Sequence, residues 1–147
     1  MTTNRPLRVL VVCTGNSARS IMAEALLRRR GGGRLEVHSA GTEPKGLHPL
    51  TVQVLTEAGF DPSTFRSKPV SDYLGQSFDY VITVCDQARQ ACPVVPGAHE
   101  TLHWGYEDPA AAAGTDEERL VVFRRVFTAL GERIGQFMTV IERVPVD

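Results

Sequence analysis

The chain alternates short apolar runs with segments whose apolar residues recur every three or four positions. Leu7 to Val12 (LRVLVV) is a compact, β-branched run of the kind that forms a strand buried on both faces. After Cys13 to Arg19 a helical pattern runs from Ser20 to Arg30, with Ile21, Met22, Ala25 and Leu26 on one face. Leu35 to Ala40 predicts a second strand, stopped by Gly41. His48 to Ala58 predicts a helix in which Leu50, Val54 and Leu55 share a face and Gly59 supplies the stop. Tyr80 to Val84 predicts a third buried strand ending at Cys85, and Thr101 to His103 a short fourth.

The last segment carries the plainest pattern. Thr115 followed by Glu118 fits a capping box. Beyond it Leu120, Phe123, Phe127, Leu130, Ile134, Phe137 and Ile141 keep helical spacing over a long stretch. Strands alternating with helices predict a single α/β domain over residues 1–147, a four-stranded parallel sheet with helices on both faces. Ligands of such sheets lie at the carboxyl ends of strands, near the point where strand order reverses. Cys13 and Cys85 both follow predicted strands directly, so one sheet edge should carry both.

Composition narrows the function classes. A length of 147 residues with 42% hydrophobic content suits one domain with a real core. A net charge of -1 leaves no electrostatic footprint for nucleic acid or an anionic membrane. The one basic run, Arg28 to Arg30 before Gly31 to Gly33, reads as a solvated helix end. No apolar stretch reaches membrane-span length, and Leu7 to Val12 is too short for a signal peptide. The expectation is a cytoplasmic protein, monomeric for want of a heptad seam. In a reducing compartment three cysteines argue against a structural disulfide framework.

Between the first strand and the first helix stands Cys13-Thr14-Gly15-Asn16-Ser17-Ala18-Arg19-Ser20. Successive backbone N–H groups in a Gly-containing turn at a helix start make an anion cradle. Arg19 adds a planar fork of donors suited to a tetrahedral oxyanion. The same positive field favours the thiolate of Cys13, the form that attacks. A lone cysteine at a strand end is ordinarily a small buried hydrophobe. The flanking strand and helix, with Gly15, Asn16 and Ser20 in place, favour the functional reading. The loop is no Walker loop, since its lysine and glycine spacing are missing.

On these residues the chain resembles the low-molecular-weight tyrosine phosphatase superfamily, and within it the arsenate reductase branch. The likeness is carried by VVCTGNSARSIMAEALL (Val11 to Leu27), HSAGTEP (His38 to Pro44) and HWGYEDP (His103 to Pro109). It implies a flavodoxin-like strand order, Cys13 as nucleophile, and an oxyanion held by Thr14 to Arg19. It also implies that Asn16 and Ser20 shape the loop and bond the thiolate. Asp108 takes the position of the general acid, with Glu107 as competitor if the correspondence slips by one.

Cys85 and Cys92 stand seven residues apart after the third strand. The spacing lacks the short ligand pairs of a zinc site, and His99 and His103 add no finger pattern. The resemblance implies a relay instead. A Cys13 arsenic adduct would be attacked by Cys85, releasing arsenite, and Cys92 would then take over the disulfide by thiolate exchange. It implies arsenate as substrate, with phosphate or sulfate as mimics, and no tightly bound cofactor. The implied external thiol reductant is thioredoxin, with a low-molecular-weight thiol and a glutaredoxin-like partner as the alternative. Rival readings are an aryl or protein tyrosine phosphatase using Cys13, Arg19 and Asp108, and a non-catalytic oxyanion or redox sensor.

Three departures from the family pattern matter. Ala18 stands where many relatives carry a second loop cysteine. Ala110 replaces the aromatic residue that phosphatases place after Asp-Pro. Asn16, Glu24 and Ser39 match the ligands of a potassium site found in some of these reductases, but Lys68 stands where those have an aspartate. No metal is therefore expected, the lysine ammonium taking the cation's place.

Overall fold

The computed structural model describes residues 5–85 and 98–141. Cys92, with the rest of 86–97, lies outside the described residues. The apolar run at the start forms β1, Leu7–Cys13, at the centre of a sheet ordered β2-β1-β3-β4. β2 is Leu35–Gly41, β3 Phe78–Cys85 and β4 Ala98–Tyr106, and every pairing is parallel. The chain leaves β1 for β2 on one side and returns to β3 on the other. The reversal falls between β1 and β3, so the carboxyl ends of these two strands flank the expected ligand position. Val12 lies opposite Thr83, which puts the Cys13 and Cys85 backbones on the same edge of adjacent strands.

β4 runs over nine residues, far longer than the three the sequence pattern picks out. As the edge strand it pairs with β3 alone, and of its side chains only Trp104 is buried. Polar residues such as His99, Glu100 and His103 face solvent there without cost, which hides the strand from a search for apolar runs.

α1, Arg19–Gly31, is buried around its whole circumference from Arg19 to Ala25. It sits between the sheet and the other helices, so its apolar surface is broader than a single stripe. Leu27 is fully buried and Leu26 only partly, the reverse of a simple helical-face expectation. α2, Pro49–Glu57, buries Leu50, Val54 and Leu55 as the spacing predicts. His48 is its N-cap, with Pro49 at the first helical position. α3, Asp116–Ile141, opens with a reciprocal capping box: Thr115 N–H donates to Glu118 Oε1 and Glu118 N–H to Thr115 Oγ1, each at 3.1 Å.

One sheet face is covered by α1, α2 and α3, whose Met22, Val54, Phe123, Leu130 and Ile134 pack on Val9, Val11, Ile82 and Val84. The other face, with Leu10, Val12, Ala40 and Val81, lies beneath Val70 and Tyr73 of the 3-10 turn Val70–Tyr73. Among the described residues no helix is long and apolar enough to cross a membrane.

Candidate active site

The carboxyl end of β1 turns directly into the loop expected to hold the oxyanion, which ends at Arg19, the first residue of α1. Asn16 makes the turn with φ +45°, a left-handed conformation that asparagine tolerates better than most residues. Gly41, at the end of β2, is the companion of that turn. A Cβ on Gly41 would stand 2.6 Å from Thr14 O and 2.9 Å from Asn16 N, so only glycine lets β2 approach the loop.

Cys13 is buried beneath the loop at 2% exposure. Asn16 N–H donates to its Sγ at 3.2 Å, and Sγ and Ser20 Oγ share a hydrogen bond of 2.9 Å. The direction of the second bond follows from the neighbours. Asn16 Nδ2 donates to Ser20 Oγ at 2.7 Å and to Ser39 Oγ at 3.0 Å, which uses both amide hydrogens. Ser20 O–H is then free to donate to the sulfur. Ser39 O–H in turn donates to Glu24 Oε1. The donors thus run in order from the middle of the loop to the cysteine sulfur, and a thiolate is the form they suit.

Arg19 enters from the first position of α1 and is 7% exposed. Its NH1 donates to Tyr106 O, at the end of β4, at 2.9 Å, and its NH2 stands 3.6 Å from Asp108 Oδ2. Cys13, Thr14, Gly15, Arg19 and Asp108 meet around one cavity of about 630 Å³. Asp108 is exposed on its outer side, and Ala110 N–H donates to its Oδ1 at 3.0 Å. Glu107 also reaches the cavity, but its Oε1 accepts from Arg125 Nε at 3.0 Å and NH2 at 2.7 Å. Asp108 is therefore the carboxyl beside Arg19, and Glu107 the one tied to α3.

Lys45 goes beyond the sequence reading, and the placements of Asn16 and Ala110 add detail to it. Asn16 is wholly buried and backs the loop from behind. Lys45, from the segment after β2, lines the cavity mouth and bonds the loop through its N–H to Gly15 O at 2.9 Å. Ala110, Ala111 and Ala112 form an aliphatic wall with no aromatic ring. A lysine in an irregular segment carries no periodic signal, so pattern reading had no means of finding Lys45.

Glu24, buried at 1% exposure, anchors the network behind the loop. Arg28 pairs with its Oε2 at 2.5 Å, while Lys68 Nζ stands 3.8 Å from its Oε1. Lys68 N–H donates to Asn16 Oδ1 at 2.8 Å, and Nζ donates to Arg66 O at 3.2 Å. Burial pushes the Lys68 ammonium below its ordinary value, and Glu24 opposes that fall. Cys85 ends β3 at the same sheet edge as Cys13, and Cys92 lies outside the described residues.

A four-stranded parallel sheet with this loop at its switch point defines the class. Residues 8–145 match the low molecular weight phosphotyrosine protein phosphatase family, and the chain belongs to it. Within that family it is 43% identical to an arsenate reductase of Halalkalibacterium halodurans over 129 residues, 88% of this chain and 93% of that protein. It is 39% identical to an arsenate reductase of Bacillus subtilis over the same shares. Among solved structures it is similar to an arsenate reductase in the phosphate binding state, with TM-score 0.77 and 30% identity over 92% of this chain and 98% of the other. A thioredoxin-dependent arsenate reductase of Corynebacterium glutamicum matches with TM-score 0.73 and 30% identity, over 95% of this chain and 64% of that longer one.

Proposed function

We propose that the protein reduces arsenate to arsenite by thiol chemistry, with thioredoxin as the external reductant. The carrying observation is the buried Cys13 sulfur, bonded by Asn16 N–H and Ser20, in an oxyanion loop at the sheet edge where β3 also ends in a cysteine. The Cys13 thiolate attacks arsenic while Arg19 and the loop N–H groups hold the oxyanion. Asp108 gives its proton to the departing oxygen, which leaves as water. Cys85 then attacks the Cys13 sulfur. The S–As bond breaks, its electron pair stays with arsenic, and arsenite departs as the Cys13–Cys85 disulfide forms. Cys92 attacks Cys85 in turn, giving Cys85–Cys92 and freeing Cys13, and a reduced dithiol of thioredoxin type takes the disulfide back to two thiols.

The relay needs Cys13, Cys85 and Cys92 reduced between turnovers, which supports a reducing compartment such as the cytoplasm. The all-alanine wall offers no ring to stack on a phosphotyrosine side chain, which favours a small inorganic oxyanion over the aryl-phosphate alternative. Lys68 supports a cation-independent site, because its Nζ stands 3.8 Å from Glu24 Oε1.

Rapid mixing of arsenate with the reduced Cys92→Ser protein tests the relay. It should release one equivalent of arsenite and stop with Cys13 and Cys85 joined. Sustained turnover by that variant at the parent rate would refute the sequence of steps.

A further inference from the structure

His48 touches the Cys13–Arg19 loop on one side and α3 on the other. Its backbone N–H donates to Ser17 O of the oxyanion loop at 3.1 Å, and its ring packs on Phe123 of α3 with centroids 4.8 Å apart. Leu50 N–H points at Nδ1 from 3.0 Å, and Arg119 NH2 lies 3.2 Å from Nε2. That same NH2 donates to Ala110 O at 3.2 Å, in the opposite wall, and Ala110 N–H in turn donates to Asp108 Oδ1. A continuous set of contacts therefore runs from the oxyanion loop through His48 and Arg119 to the residue two places past Asp108.

Both ring nitrogens face donors. A neutral imidazole has one ring nitrogen that can accept, so it serves Leu50 or Arg119 but not both at once. Arg119 shows a matching compromise. Its Nε is, among the described residues, a buried side-chain nitrogen without a hydrogen-bond partner. Stability alone disfavours leaving that donor unsatisfied, so the guanidinium is held for where its outer edge reaches.

We propose that His48 and Arg119 are a positioning pair: when Nε2 accepts from Arg119 they fasten the Asp108 loop to the oxyanion loop, and when Nδ1 caps α2 the loop is released. The inference rests on the arsenate reductase reading, because placing Asp108 matters only if it protonates the departing oxygen. Protonation of the ring removes its remaining lone pair and ends both contacts. The charged groups acting on the ring are Arg119 and Asp116 from α3 and Asp108 from the opposite wall. Burial and Arg119 hold the imidazole below its ordinary value, against the two aspartates. The pair is thus available at neutral pH and lost as pH falls.

Two variants separate this role from mere folding. His48→Asn keeps a side-chain oxygen for Leu50 N–H, so α2 stays capped, while Arg119→Gln removes the reach to Ala110. Backbone hydrogen exchange over residues 108–112 should quicken about tenfold in both, the factor that 1.4 kcal/mol represents. Arsenate kcat should fall by a similar factor with KM little changed. In the parent, exchange over 108–112 should rise beyond the intrinsic chemical trend once acid protonates the ring, at a pH lower than the ordinary imidazole value of 6.5, and His48→Asn should lack that step. Exchange over 108–112 equal to the parent's in both variants overturns the pair, as does quickened exchange with unchanged kcat. A parent that does not turn over arsenate refutes the activity instead, and the exchange data still decide the tether.

Discussion

Ser20 and Asn16 hold the chemistry at the scale of single residues. Ser20 relays donors to the Cys13 sulfur, so Ser20→Ala removes a hydrogen bond to a charged group, worth about 1.5–3 kcal/mol. If the thiolate develops its full charge in the attacking state, steady-state arsenate turnover drops by roughly 10- to 100-fold; a rate within twofold of the parent contradicts the relay of donors. Gly41→Ala strikes the same loop from outside, since its Cβ would collide with Thr14 O and Asn16 N, both backbone atoms. Calorimetry with phosphate should show much weaker binding, while the sheet survives. Lys68 carries a third expectation. With its ammonium beside Glu24, a potassium titration of activity should be flat, and strong activation would show that a cation enters despite the lysine. Cys13, Arg19 and Ser20 were legible in the sequence because their spacing between a strand and a helix is itself the motif. His48 and Arg119 were not, since 71 residues separate them and only the packing of α3 over α2 brings them together.

Elements place these residues. β1 and β3 are readable from short runs rich in apolar and β-branched residues because both faces of a central strand are covered. β4 is readable only at Thr101 to His103, around the partly buried Leu102, and its polar remainder follows from its place at the edge. α3 holds the far wall. Phe123 is fully buried against the His48 ring and the sheet, and Phe123→Ala should cost about 3–5 kcal/mol by denaturant unfolding. Thr115→Ala, which takes away one half of an exposed capping box, should cost only about 1 kcal/mol. Equal losses for the two would mean that α3 is not anchored by its apolar stripe.

At the scale of the whole molecule the charges at the amino end of the sheet set the response to acid. Asp79 accepts from Arg5 and from Arg8 N–H, and Glu36 from Arg8 and His38. These bonds hold both carboxyls below their ordinary values of 3.8 and 4.5. Depressed carboxylates add stability that is complete above the unfolded value and is lost as pH falls through the folded one. His48 acts in the same direction at higher pH. Kept neutral when folded, it binds its proton more readily when unfolded, so stability declines as pH drops below 6.5. Thermal melts should therefore fall in two stages, first below pH 6.5 and again below about 4, and His48→Asn should erase the first stage alone.

The proposed reduction joins one oxyanion loop and three thiols in a single relay. Its most direct test is arsenate-dependent NADPH oxidation with thioredoxin and thioredoxin reductase, comparing the parent with Cys13→Ser, Cys85→Ser and Cys92→Ser. Steady turnover is expected in the parent and its loss in all three variants. An inactive parent that hydrolyses aryl phosphate through Cys13, indifferent to Cys85 and Cys92, would contradict it and make the protein a phosphatase.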